Sequence, residues 1–199
     1  MIDIKNINNS EPYALFLSLY NQALQNNERY IEAACISSLN EKNQEVESRY
    51  VNLKYIYDQE WIFFTNYDSQ KAKDFEFHNQ ISVIFFWKST NIQIRIKANI
   101  KKTNKSFSDK HFLKRQKEKN ALAISSNQSK KIRSYEDVIN NYEEVLNKKI
   151  HLNKRPNYWG GFSFTPYYFE FWEGNDNRIN KRKVYILKNN SWDNFFLQP

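Results

Sequence analysis

The segment Ile92-Gln93-Ile94-Arg95-Ile96-Lys97-Ala98 alternates strictly between apolar and polar side chains. Successive side chains of a strand point to opposite faces, so Gln93, Arg95 and Lys97 share one face and the isoleucines the other. Such a segment belongs in a sheet with one apolar and one polar face. Residues 49–57 carry the same period, with Val51, Leu53, Tyr55 and Tyr57 on one side and Tyr50, Asn52, Lys54 and Ile56 on the other. The apolar runs 61–65 and 81–87 read as strands buried on both faces. Four more strands are expected at 161–165, 168–172, 183–187 and 192–197, with Asn175-Asp176-Asn177 and Asn189-Asn190 turning the chain where glycine would otherwise serve.

Helices interrupt this pattern. Ser10-Glu11-Pro12 opens one with Ser10 as N-cap, and Phe16, Leu19, Tyr20 and Ala23 form its apolar stripe. Others are expected at 69–78, at 108–117 and from Ser134, where Ser134-x-x-Asp137 resembles a capping box. The fold class that follows is α+β and mainly β: antiparallel strands closing into a small barrel with peripheral helices. A length of 199 residues, with no repeat or linker, fits one domain spanning 1–199. Aromatic residues make up 17% of the chain, so the core is built from Phe, Tyr, Trp and Ile.

Thirty Lys and Arg against 22 Asp and Glu give a net charge of +8. That surplus fits nucleic acid, a membrane surface or phosphorylated ligands. It fits equally well a general over-use of Lys, Asn, Ile, Tyr and Phe, whose codons are A/T-rich. Lys114-Arg115-x-Lys117-x-Lys119 and Lys130-Lys131-x-Arg133 come with no nucleic-acid-binding motif and read as solvated faces, so no nucleic-acid partner is expected. The longest apolar run, 81–87, is far short of the ~20 residues that cross a bilayer, and no membrane association is expected. Cys35 is the only cysteine, and the opening residues show no basic segment followed by an apolar one. A reducing, cytoplasmic setting is therefore expected. His78, His111 and His151 lie far apart, so no metal site is expected.

No Gly-x-Ser-x-Gly, phosphate-loop or dinucleotide-binding glycine pattern is present, and Glu143-Glu144 reads as an ordinary solvated helix face. A chain without its own reactive group can still be an enzyme when a cofactor carries the chemistry.

Arg49-Tyr50-Val51-Asn52-Leu53-Lys54, Phe64-Thr65-Asn66-Tyr67 and Ser69-Gln70-Lys71-Ala72 resemble, in order and spacing, the pyridoxamine/pyridoxine 5'-phosphate oxidase family. The resemblance continues through Trp87, Gln93 and Asn127-Gln128-Ser129 to Arg155-Pro156-x-x-Trp159-Gly160-Gly161. It closes with Glu170-Phe171-Trp172-x-Gly174, Arg178-x-x-x-Arg182 and Trp192-x5-Gln198-Pro199. It implies an FMN-binding split β-barrel acting as a homodimer, with FMN in a cleft between subunits. Arg49 and Lys71 would grip the FMN phosphate, and Thr65 and Ser129 would add hydroxyl donors. Gln93 and Gln128 would hydrogen-bond the polar edge of the flavin, and Trp172 and Arg182 would complete the site from the partner. Val51, Lys54, Phe64 and Gln70 fall in the same cofactor-binding segments, Gln70 where the family carries an arginine.

For the substrate, a small phosphorylated pyridine, the resemblance implies that Lys54 and Arg115 bind the 5'-phosphate. His111 stands for an expected tyrosine and Lys119 for an expected serine, and both still donate to phosphate. Arg178 matches the arginine over the pyridine ring near the carbon being oxidised. Asn180 stands for the usual histidine and cannot carry a proton charge near neutrality. Arg178 and Asn180 are thus the candidate catalytic pair. The expected activity is oxidation of pyridoxamine or pyridoxine 5'-phosphate to pyridoxal 5'-phosphate with dioxygen, in vitamin B6 metabolism. Alternatives are an FMN oxidase of the phenazine-pathway type, which His111 and Asn180 favour, and a non-catalytic binder of flavin or pyridoxal phosphate. The chain begins close to the first helix, without much of the N-terminal segment that can cover the substrate in the family.

Overall fold

The computed structural model describes residues 1–148 and 152–199, so His151 lies outside them. The elements run β1 (Asp3–Lys5), α1 (Glu11–Gln25), β2 (Ala33–Leu39), β3 (Val46–Asn52), β4 (Tyr55–Tyr57), β5 (Glu60–Asn66), α2 (Gln70–Phe77), β6 (Gln80–Trp87) and β7 (Ile92–Lys102). They continue with α3 (Lys105–Lys114), α4 (Lys117–Ser125), α5 (Tyr135–Asn147), β8 (Trp159–Glu173), β9 (Lys181–Lys188) and β10 (Ser191–Leu197). The strands form one sheet in the order β1-β4-β5-β8-β7-β6-β2-β3, with β9 on β8 and β10 on β9. Every pairing is antiparallel except β1 with β4. This is the mainly-β α+β architecture expected, a curled sheet with helices around it.

The core sits under α1, whose predicted stripe of Phe16, Leu19, Tyr20 and Ala23 is buried throughout. Phe16 packs 4.4 Å from the ring of Trp61 and 5.8 Å from that of Phe85, and Tyr20 lies against Trp87. Burying rings of this size stabilises the fold by about 1.5–3 kcal/mol each relative to exposure. Ser10 does stand at the N-cap, but its hydroxyl donates to Asn8 and makes no cap bond. Ser134 caps as expected, accepting from the Asp137 N–H at 3.1 Å.

Several expectations change. Residues 49–57 are two strands, because the chain steps out at Leu53 and Lys54, whose N–H groups bond Glu32 and Ile62. The step shifts the alternation, so Leu53 and Ile56 are buried while Tyr55 and Tyr57 are only partly covered. The run 81–87 is buried on one face only: on the other, Phe86 is 55% exposed and Ser82 and Ile84 are partly exposed. Residues 161–165 and 168–172 are one strand, β8. Pro166, with no N–H to give, forces a register shift opposite Lys97/Ala98 and leaves the ladder intact on either side. The helix expected at 108–117 is α3, starting earlier at the Asn104 cap, and a separate α4 follows it. Strand β2, read from small residues with little strand character, was not expected at all. Asn189 and Asn190 do turn β9 into β10, at φ of 48° and 64°, the left-handed pair a two-residue hairpin needs. In the 174–180 turn it is Arg178, at φ 61°, that takes the left-handed conformation.

β8 joins the two regions that matter below. Its first half pairs with β5, its second half with β9, and β7 runs along its other edge.

Candidate functional site

The step at Leu53-Lys54 turns Lys54 toward a cleft of about 340 Å³. The end of β3 supplies Val51 to its wall and β5 supplies Phe64 and Thr65. Lys71 comes from α2, His111 and Arg115 from α3 and its end, and Lys119 from α4. Gln128 closes one side, and Trp159 at the start of β8 another. Nine of the predicted binding residues therefore meet in one place. A second hollow of about 270 Å³ shares Phe64, Thr65, Arg115, Lys119, Gln128 and Trp159 with it.

The charge in this cleft is one-sided, for no carboxylate lines it among the described residues. Burial holds Lys71 below the usual lysine range, with Arg49 adding to this and Asp74 opposing it. Lys54 is lowered by burial, against the pull of Glu32, and by Lys119 and Arg115. Burial brings Arg115 down to about 10, and one of its terminal nitrogens is enclosed without a hydrogen-bond partner. Burial, then Arg115, Lys54 and Lys114, pushes His111 down to about 4, so its imidazole is neutral near pH 7. Cations desolvated together without a counter-ion are stabilised by an anion placed between them.

Neutral donors and an aromatic wall complete the cleft. Lys71 Nζ lies 3.5 Å from Thr65 Oγ1, which donates to Gln128 Oε1 at 3.3 Å, as does the Asn66 N–H. The Gln128 amide nitrogen has no acceptor among the described residues and is exposed at the cleft. The His111 ring lies 3.7 Å from that of Phe64 and within 7° of parallel, and Trp159 lies to the side of both, 5.3 Å from Phe64 at 10° and 6.2 Å from His111 at 8°. The Arg115 guanidinium rests 4.4 Å from the centre of Trp159. Trp159 is held in turn by Arg155, which donates to its carbonyl and to Asp109 of α3. Beside it, a β-carbon on Gly160 would collide with the Tyr67 ring.

The remaining predicted residues lie elsewhere. Arg49 turns to protein acceptors, Ser38 Oγ at 2.6 Å and Glu47 at 3.1 Å, with Asp74 at 3.7 Å. Gln70 donates to the same Asp74 at 2.9 Å. Ser129 opens onto a neighbouring hollow with Lys130 and Lys131. Gln93, Trp172 and Arg182 form a row across β7, β8 and β9, each the register partner of the next. Arg182 holds Glu170 through two nitrogens at 2.7 and 3.0 Å, and Arg95 holds the other carboxylate oxygen at 2.8 Å. Arg178 is exposed on its turn, while Asn180 accepts from the Asn175 N–H and shapes that turn. Neither lines the cleft. Sequence reading missed Tyr55, Trp159 and Glu170 as contributors. Trp159 and Glu170 stand inside the quoted motifs, whereas the contact of Tyr55 with α3 has no local signal.

Residues 21–148 match a family model described as pyridoxamine 5'-phosphate oxidase, and residues 159–199 match one described as the pyridoxine 5'-phosphate oxidase C-terminal dimerisation region. The chain belongs to the pyridoxamine 5'-phosphate oxidase family. Relatives in this family include the pyridoxine/pyridoxamine 5'-phosphate oxidase of Cytophaga hutchinsonii, 34% identical over 100% of this chain and 93% of its own. Another is pyridoxine/pyridoxamine 5'-phosphate oxidase 2 of Hydrogenovibrio crunogenus, 33% identical over 98% of this chain and 92% of its own. Among solved structures, PhzG from Burkholderia lata, in complex with tetrahydrophenazine-1-carboxylic acid, superposes with a TM-score of 0.89. It is 26% identical, over 96% of this chain and 93% of that one. A pyridoxamine 5'-phosphate oxidase-related, FMN-binding protein of Nostoc punctiforme shares the fold at a TM-score of 0.77 and 11% identity, over 96% of this chain and 99% of that one. The sheet is therefore the FMN-binding split barrel of the pyridoxamine 5'-phosphate oxidase family, whose members typically bind FMN. Trp172, Arg178, Asn180 and Arg182, the predicted residues of the C-terminal strands, all fall in the dimerisation region. No helix among the described residues is long and apolar enough to cross a membrane.

Proposed function

We propose that this chain is an FMN-dependent oxidase converting pyridoxamine or pyridoxine 5'-phosphate to pyridoxal 5'-phosphate, and that it works as a homodimer. The observation that carries this reading is the cleft itself: Lys54, Lys71, Arg115 and Lys119 around one space that no carboxylate lines among the described residues. The donor set fits a phosphorylated cofactor and a phosphorylated substrate together. Lys71, Thr65 and Gln128 form one linked group that suits the flavin. Lys54, His111, Arg115 and Lys119 form a second that suits the substrate phosphate, where charge-assisted bonds outweigh neutral ones. Bound FMN supplies two-electron oxidation with dioxygen as terminal acceptor. The chain's own part is orientation. Phe64 and Trp159 wall the ligand space, and the cations fix the phosphate end and thereby the position of the carbon to be oxidised.

Gln93, Trp172, Arg178, Asn180 and Arg182 lie away from this cleft, and most of them fall in the dimerisation region. A second copy bringing its β7–β9 face to the cleft supplies them, with Arg178 and Asn180 at the substrate ring. This is why the dimer is part of the proposal. Purified protein should carry FMN, sediment as a dimer and form aldehyde from one or both phosphates. Protein that neither retains nor takes up FMN overturns the reading entirely.

A second reading, oxidation of a partly reduced phenazine carboxylate, draws support from the likeness to PhzG and from Asn180. Bound flavin that turns over neither B6 phosphate but does oxidise such a compound favours it.

A further inference from the structure

His111 and Tyr55 meet in the cleft wall from different elements, α3 and β4. Tyr55 Oη lies 2.8 Å from His111 Nδ1, and the two rings stand edge to face at 84°. It is the only hydrogen bond that His111 makes among the described residues. A phenol is a stronger acid than a neutral imidazole, and an imidazole nitrogen a stronger base than a phenol oxygen, so the hydroxyl donates and Nδ1 accepts. The proton of the neutral ring is then on Nε2. Phe64, stacked 3.7 Å away, fixes the plane of the ring. Only the Tyr55 bond tells its two edges apart, because rotating the ring by half a turn would set a C–H against that hydroxyl.

We propose that Tyr55 is a positioning residue, which fixes His111 as the Nε2–H tautomer so that an uncharged imidazole meets an anion in the cleft as a donor. The charged neighbours fit this arrangement. Lys54 from the β3–β4 step and Arg115 and Lys114 from the end of α3 oppose a further positive charge on the ring. Lys119 of α4 lines the same space, and Asp3 of β1, which accepts from Tyr57, adds to burial in holding the Tyr55 phenol protonated. A neutral donor adds a directed bond without adding to the repulsion among these cations. The ligand part of the proposal rests on reading the cleft as an anion site; the tautomer does not.

The test is nitrogen-15 NMR of the imidazole at pH 7, with His111→Asn to assign its signals and circular dichroism to confirm that each variant is folded. Wild type should show the Nε2–H form alone, and Tyr55→Phe a mixture of both neutral tautomers. Affinity for inorganic phosphate, measured by calorimetry, should fall about 2- to 4-fold in Tyr55→Phe, as the competent tautomer and ring orientation are diluted among the alternatives. An Nδ1–H form in wild type overturns the proposal. So does a Tyr55→Phe protein that keeps the single Nε2–H form, or a phosphate affinity that stays put when the tautomer changes. A protein with the fixed tautomer and the affinity loss that oxidises neither B6 phosphate sinks the proposed function and leaves this inference standing.

Discussion

In the β7–β9 row, Arg95 and Arg182 both reach the carboxylate of Glu170, which is 2% exposed and also accepts from Tyr168. In the cleft, among the described residues, four cations line a space with no carboxylate, and one guanidinium nitrogen is enclosed without a partner. Both regions are basic and both draw on β8. The row's two guanidiniums share one carboxylate within the chain, so its arginines are held in place before anything binds. On the proposed reading, the cleft's charges are met by an anion from outside. A basic residue's role is thus read from its partners rather than from its position in a motif. By that measure Arg49, bound to Ser38, Glu47 and Asp74, resembles the row more than the cleft.

Removing the shared partner of the row should have the largest effect. Glu170→Ala leaves two guanidiniums against a buried face and should cost about 3 kcal/mol in urea unfolding, near the lower end for a broken buried pair because both arginines are partly exposed. In the cleft, Lys71→Met should do the reverse. Thermal stability of the protein free of cofactor should hold or rise slightly, while FMN affinity, followed by flavin fluorescence, drops about 10- to 100-fold, the value of a charge-assisted bond. Equal loss of stability in both variants would erase the contrast.

The next effect is smaller and depends on pH. Unfolded His111 takes up a proton near 6.5, the folded residue only near 4. Between these values the unfolded chain holds more protons, so stability falls as pH drops through that window. With allowance for the ring's partial exposure the loss is about 1 to 2 kcal/mol. His111→Asn should flatten that slope in chemical denaturation between pH 4 and 6.5. The smallest effect belongs to balance without burial. Arg133 pairs with Asp137 on the surface of α5, and Arg133→Ala should shift stability by no more than about 0.5 kcal/mol.

Much of this was legible in the sequence. Period-two alternation located β7, and the spacing of Phe16, Leu19, Tyr20 and Ala23 oriented α1. The family resemblance picked out nine residues that the fold gathers into one cleft. What escaped was set by partners distant in the chain. β2 is a strand because β3 and β6 flank it, not because of its small side chains. The break after Asn52 arises from bonds to Glu32 and Ile62, which no local pattern announces. Tyr55 and Glu170 likewise gain their roles from residues about 56 and 75 positions away.

β8 also bears on how the molecule is made. Its ladder with β5 joins Trp61 to Phe164 and Phe64 to Gly161, about a hundred residues apart. Closing so long a loop precedes any gain from the contacts it brings, which slows such pairings relative to local ones. On a ribosome, Lys54, Thr65 and Lys71 emerge long before Trp159 and the strand that carries it. The nascent chain therefore holds the cleft without its Trp159 wall, with strand edges open, until β8 has been made. On the proposed reading, ligand can then report on the finished fold, because only a chain that has closed the β5–β8 ladder presents the whole site.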